Sequence, residues 1–214
     1  GNPNSAYSFN GSSTGITMPL VGPTGTVSRS LSFWAKTTNT TINSPRSTFD
    51  YGGYNGIGGN AFQVVWNYCA QGVGLDIGNQ ALIRGNPCLL DNMWHHIAIV
   101  FNATVSTVYS SMNYYLDGVL QPVIVCNITG TNSTINTLSS YPITIGKNGS
   151  SNTRYWLGEL DDFYLYDRVL TYPEVLQLYN ICSLSVPVSG NTLVCQGSVV
   201  TYSVPPITGG TYTW

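Results

Sequence analysis

Short runs in which apolar and polar residues alternate recur along the chain, and each is closed off by glycine, asparagine, proline or serine. Residues 30–36, 61–67, 96–102, 113–117, 143–145 and 160–166 carry this pattern and predict β-strands. In 61–67, Phe62, Val64 and Trp66 share one face, because successive side chains on a strand point to opposite sides. Asp117-Gly118 predicts a tight hairpin, since both residues tolerate positive φ. Segments 37–46 and 51–60 read as loops, the first long and polar, the second rich in glycine and asparagine. One short helix is predicted. Thr171 can cap it, Pro173 suits its first turn, and Glu174 stands where a capping box needs an acceptor. Val175, Leu176, Leu178 and Tyr179 then form its apolar face. Many short strands and one C-terminal helix predict an all-β antiparallel two-sheet sandwich.

The pattern changes after Cys182. Residues 183–214 contain no acidic or basic side chain, and 199–204 alternates like a strand. Such a piece is too short to bury a core alone. The chain therefore divides into a sandwich, 1–182, and the opening strands of a second domain, 183–214, with a tail packed on the first domain as the alternative.

Composition narrows the function. Only 7% of the 214 residues are charged, while 43% are hydrophobic and 12% aromatic, so a core is affordable and the surface is solvated by hydroxyls and amides. The net charge is −2 with no basic run, which leaves no counterion-release term for binding nucleic acid. No apolar stretch reaches the roughly 18 residues of a membrane-spanning helix. Five cysteines in a lysine-poor, tyrosine-rich β chain point to an oxidising, extracellular setting, with five buried free thiols as the alternative. No Cys-x-x-Cys spacing suggests zinc.

Four segments together resemble the laminin-G-like domains of the pentraxin and concanavalin A-like superfamily. These are Ala6-Tyr7-Ser8-Phe9-Asn10-Gly11, Leu31-Ser32-Phe33-Trp34-Ala35-Lys36, the run from Trp94 through Phe101 followed by Tyr115-Leu116-Asp117-Gly118, and the run from Gly158 through Asp167 followed by Leu170-Thr171 and Glu174. The resemblance implies a jelly-roll sandwich that serves extracellular recognition rather than catalysis. In the tail, Val194-Cys195-Gln196-Gly197 and Thr211-Tyr212-Thr213-Trp214 are similar to PKD-like and Ig-like repeats of bacterial surface adhesins, many exported by the type IX secretion system. That likeness implies a distant partner for Cys195. The other four cysteines would then pair as Cys69–Cys88 and Cys126–Cys182, one of three possible connectivities.

The superfamily also contains glycosidases with a Glu-x-Asp-x-Glu strand, so carboxylates need testing. Glu159-Leu160-Asp161 starts that pattern, but Phe163 and Tyr164 stand where the closing carboxylate belongs, and Glu174 is the helix cap. We therefore expect no enzyme. His95 and His96 would point to opposite faces of a strand and cannot share an ion, one facing inward and the other the surface. Calcium is expected, if anywhere, as a structural ion at Asn10, Gly11, Asp161 and Asp162. For a glycan or surface-protein ligand the candidates are Tyr51, Tyr54, Asn55, Tyr68, Arg84, Asn148, Arg154 and Tyr155. Trp34, Trp94 and Trp156 sit in core-strand motifs and are expected to be structural, and Trp66 fits either role. The resulting reading is an adhesion module of a large secreted surface protein. A carbohydrate-binding module attached to a polysaccharide-degrading enzyme, or a structural or secretion-cargo domain, is the alternative.

Overall fold

The structure is a computed structural model that describes residues 5–37, 45–54, 58–66, 73–78, 81–84, 89–108, 111–126 and 134–180. In chain order the strands are β1 (Tyr7–Asn10), β2 (Ile16–Thr17), β3 (Arg29–Thr37), β4 (Arg46–Gly52), β5 (Ala61–Trp66), β6 (Val73–Asp76) and β7 (Ala81–Arg84). They continue as β8 (His95–Phe101), β9 (Asn113–Leu116), β10 (Val119–Gln121), β11 (Val123–Cys126), β12 (Tyr141–Ile145) and β13 (Leu157–Tyr166), and α1 (Tyr172–Asn180) follows. A six-stranded sheet runs β1-β13-β3-β8-β9-β10 and a seven-stranded sheet runs β11-β7-β6-β5-β4-β12-β2. All the paired strands are antiparallel, as the alternating sequence predicts.

Leu31, Phe33, Ile97, Ile99 and Phe101 of the first sheet face Phe49, Phe62, Val64, Trp66 and Leu75 of the second. Each such side chain contributes about 1.5–3 kcal/mol by leaving water. The first sheet is buried on both faces at β3 and β8. Its outer side carries a second, smaller core in which Ala98, Val100 and Tyr115 pack against Leu170 and Val175 of the helical segment. The helix starts as its capping box predicts: the Thr171 N–H donates to Glu174 Oε2 at 2.7 Å. The Arg168 guanidinium on the same carboxylate, together with Thr171, holds Glu174 down to about 2.

The register of β13 on β3 shifts between Asp161 and Tyr164, where Asp162 takes φ 49°. This bulge lets Leu160 and Phe163 both point inward although they are three residues apart. Phe163 stacks on Phe33 with ring centroids 4.7 Å apart. The position where a glycosidase would close its carboxylate set is thus filled by a core-packed ring. Glu159 lies on the opposite side of the strand and pairs with Lys36 at 3.3 Å.

One tryptophan departs from expectation. Trp94 is 36% exposed, because it precedes the first residue of β8 and strand alternation does not carry it inward. Trp34 is half-buried on the outer face, stacked on Tyr179 of the helix at 5.8 Å. Trp66 and Trp156 do lie in the core, 4.8 Å apart. Cys69, Cys88, Cys182 and Cys195, the side chain of Cys126, and the expected repeat at 183–214 fall outside the described residues.

Candidate functional site

A polar row crosses the outer face of the seven-stranded sheet. Phe49 and Tyr51 of β4 point into the core, so Asp50 between them points out. The same parity turns Gln63 of β5 and Asp76 of β6 outward. Register then makes them neighbours: Thr144 pairs with Asp50, Asp50 with Gln63, and Gln63 with Asp76. Polar side chains on an outer sheet face are ordinarily wet. Here Asp50 is 5%, Gln63 3% and Asp76 5% exposed.

The segment between β12 and β13 covers them. Gly149 donates its N–H to Asp50 Oδ2 at 2.7 Å. Arg154, held in the left-handed region at φ 52°, reaches down with Nη1 to Gln63 Oε1 at 2.8 Å and to Asp76 Oδ2 at 3.2 Å. A non-glycine residue in that region is strained, and such strain concentrates at functional sites. Asn148 is tied into the same segment, its Oδ1 accepting the Ser151 N–H at 2.9 Å. Burial, reinforced by the Asp76 charge, pushes the Asp50 carboxyl up to about 7 against the N–H groups of Gly149 and Ser150 and the Arg154 charge. A narrow cleft lies over this row, lined by Asp50, Gln63, Asp76 and Asn148 together with Tyr54 and Tyr141, with room among them for about one water. Tyr54 is 54% and Tyr141 36% exposed. Ring faces next to buried acceptors are the combination that glycan sites use, because sugars present both CH faces and hydroxyls.

Of the ligand candidates read from sequence, Tyr54, Asn148 and Arg154 come together here. Tyr51 borders the cleft, but its ring is buried in the core and cannot stack on a ligand. Its hydroxyl donates instead to the Pro23 carbonyl at 3.0 Å. Tyr155 adjoins the covering segment, and its carbonyl accepts from Arg46 at 2.8 Å. Asn55, Tyr68 and the side chain of Arg84 lie outside the described residues. Sequence reading missed Asp50, Gln63, Asp76 and Tyr141. The signal available for the first was the Phe49-Asp50-Tyr51 alternation, a strand hidden between two predicted loops.

The residues expected to hold calcium are not assembled. Asn10 pairs with Leu157 while Tyr7 pairs with Leu160, so Asp161 lies four strand residues, about 13 Å, from Asn10. Asn10 Oδ1 accepts from the N–H groups of Ser12, Ser13 and Thr14, and the Gly11 carbonyl accepts from Arg46 at 2.6 Å. Asp161 accepts from Ser5 and from the Asp162 N–H. We therefore expect calcium titrated into stripped protein to give the same heat in the wild type and in an Asp161→Asn/Asp162→Asn variant. Heat present only in the wild type would reinstate that ion. His95 and His96 diverge as expected, but the outer-face one is the more buried. His96 sits beneath the helix, 2.8 Å from Ser32 Oγ, and burial holds it down at about 4. His95 bridges Asp117 at 2.8 Å and Asp91 at 3.1 Å, and its hydrogen bond to Asp117 raises its pKa.

Comparison with known proteins places this geometry. A family model described as the concanavalin A-like lectin/glucanases superfamily matches residues 10–176. No curated protein matches the chain significantly. Among solved structures, the native heptameric SAP-like pentraxin from Limulus polyphemus is 15% identical, with 92% of this chain and 91% of that one covered and a TM-score of 0.57. Domain 4 of an extracellular arabinanase from Geobacillus stearothermophilus, in complex with arabinotriose, is 18% identical over 84% of this chain and 78% of that one, at a TM-score of 0.57. The CBM40 of a Ruminococcus gnavus IT-sialidase, bound to α2,3-sialyllactose, is 15% identical over 81% and 97%, at 0.55. At these identities the likeness is one of fold.

Proposed function

The chain belongs to the concanavalin A-like lectin/glucanases superfamily, and from that premise we propose that it is a glycan-recognition module that binds at the Asp50–Gln63–Asp76 face. The observation that carries the reading is the convergence of buried polar side chains with the exposed rings of Tyr54 and Tyr141 around one narrow cleft, so that a sugar would lie across its mouth. The low charge and five cysteines support an extracellular place, as one module of a larger secreted surface protein. The likeness of 183–214 to adhesin repeats supports such a setting and export by a dedicated secretion apparatus. Attachment to a polysaccharide-degrading enzyme is the second reading, supported by similar domains found in an arabinanase and a sialidase.

A glycan array followed by calorimetry tests the proposal. Wild-type protein should bind at least one oligosaccharide. Tyr54→Ala and Tyr141→Ala should each weaken it roughly ten-fold, the worth of one aromatic contact, while the melting temperature falls by no more than a few degrees because neither ring is part of the core. Binding that is indifferent to both substitutions would move the site elsewhere, and no binding to any glycan would reject the proposal.

A further inference from the structure

The charges around the cleft are unevenly committed. Arg154 supplies a cation on the floor, and it is already engaged by Asp76 at 3.2 Å and Gln63 at 2.8 Å. Lys147 donates to Asn152 Oδ1 at 2.9 Å within the covering segment. Asp50 makes no ion pair of its own among the described residues: its carboxylate accepts from the Gly149 N–H at 2.7 Å and from the Ser150 N–H, and the cation that acts on it, Arg154, is bonded to Asp76 and Gln63. A carboxylate has about four lone-pair sites, more than these two bonds use. Whatever enters beside Asp50 therefore meets an acceptor with lone pairs to spare and, above about pH 7, a negative charge whose one nearby cation, Arg154, is already committed to Asp76. Resting on the glycan reading above, we infer that this cleft takes uncharged sugars, whose hydroxyls donate to Asp50 while Tyr54 and Tyr141 cover their CH faces, and that it rejects sugars bearing a carboxylate.

The physical reasoning is that of specificity by repulsion. A ligand carboxylate would sit close to Asp50 and Asp76 with only one cation between them, and like charges brought together in a half-buried cleft oppose binding far more than they would in water. Hydroxyl donors carry no such penalty, and they satisfy an acceptor that would otherwise be left short. Rejection is thus built into the floor and selection into the rim, a division that specific sites commonly use.

The test uses matched pairs, measured at pH 8 where Asp50 is ionised: lactose with sialyllactose, and a neutral galactan with polygalacturonate, each on the full chain and on Asp50→Asn. The wild type should favour the neutral member by at least ten-fold. Asp50→Asn, which keeps an acceptor but removes the charge, should shrink that gap several-fold by admitting the acidic member. Equal or tighter binding of acidic glycans by the wild type would overturn the inference while leaving the glycan-recognition reading intact. An undiminished gap in Asp50→Asn would remove Asp50 as its cause. If a full array and both pairs give no binding at all, the recognition reading fails first and this inference falls with it.

Discussion

Arg29→Ala should cost on the order of 4 kcal/mol, enough to lower the melting temperature by about 10 °C in a chain of this size. Arg29 is fully buried. Its guanidinium donates to the carbonyls of Pro23, Gly25 and Val27, to the Tyr51 hydroxyl at 2.8 Å and to the Thr137 hydroxyl at 2.9 Å. It also lies over the rings of Phe62 and Phe101, at 5.6 and 5.8 Å. One side chain thus ties the 23–27 segment, β4 and the strand-like bridge at Thr137 to β3. Burial holds the Tyr51 hydroxyl at about 12, so it stays a neutral partner at every working pH. Removing the guanidinium leaves the buried Tyr51 and Thr137 hydroxyls without their donor, while the Pro23 and Gly25 carbonyls keep the Tyr51 hydroxyl and the Thr137 N–H; an unpaired buried acceptor costs about 1–3 kcal/mol, and the lost volume adds to it. Arg29→Met separates that loss from lost volume. It fills most of the space but donates nothing, so it should be nearly as unstable as Arg29→Ala. Arg29→Lys should recover less than half, because an ammonium cannot reproduce the planar fork. Denaturant unfolding gives the answer directly. A methionine variant as stable as the wild type would show that packing, not hydrogen bonding, is what Arg29 contributes.

The strands legible in the sequence were those whose apolar face is the core face. The reading of 30–36 matches β3 at Arg29–Thr37, and that of 160–166 falls within β13 at Leu157–Tyr166. The helix start was legible because a capping box is entirely local: Thr171 and Glu174 find each other without help from the rest of the chain. The candidate site was not local. Its floor exists only through register, which sets Asp50 beside Gln63 and Gln63 beside Asp76, and nothing in a single strand states who its neighbours are. β4 was hidden because a long polar stretch before it and a glycine-rich one after it swallowed its ends. That error also turned Tyr51 into a loop tyrosine, although its place next to Asp50 in an alternating run sends it into the core. Trp94 failed for a different reason: its reading rests on its place in a motif of the family resemblance, while the strand itself begins only at His95.

Asp50→Asn is expected to stabilise the protein at and above neutral pH, by an amount approaching 4 kcal/mol. The sign follows from where the proton sits. The Asp50 carboxyl is raised in the fold from 3.8 to about 7, chiefly by burial. Below pH 3.8 both folded and unfolded chains hold the proton and nothing is lost. Between there and about 7 the unfolded chain ionises first, so stability falls as pH rises, by about 1.4 kcal/mol per unit. Above 7 the full loss is in place. An asparagine has no proton to lose, and its amide oxygen can still accept from Gly149. His96 runs the other way. Burial lowers it from 6.5 to about 4, so its contribution is present above 6.5 and is lost as pH falls through that window. In the wild type the two slopes oppose each other across the acid range and leave stability nearly flat there. Above about pH 6.5, His95, whose raised pKa gives stability lost with rising pH, adds to the decline. The variant should therefore do two things at once. Its stability should climb between pH 4 and 6.5, where His96 is now unopposed, and it should melt several degrees above the wild type at pH 8. Unfolding curves at pH 4, 6 and 8 decide it. A variant that tracks the wild type at all three would mean that Asp50 is solvated far better than its 5% exposure implies.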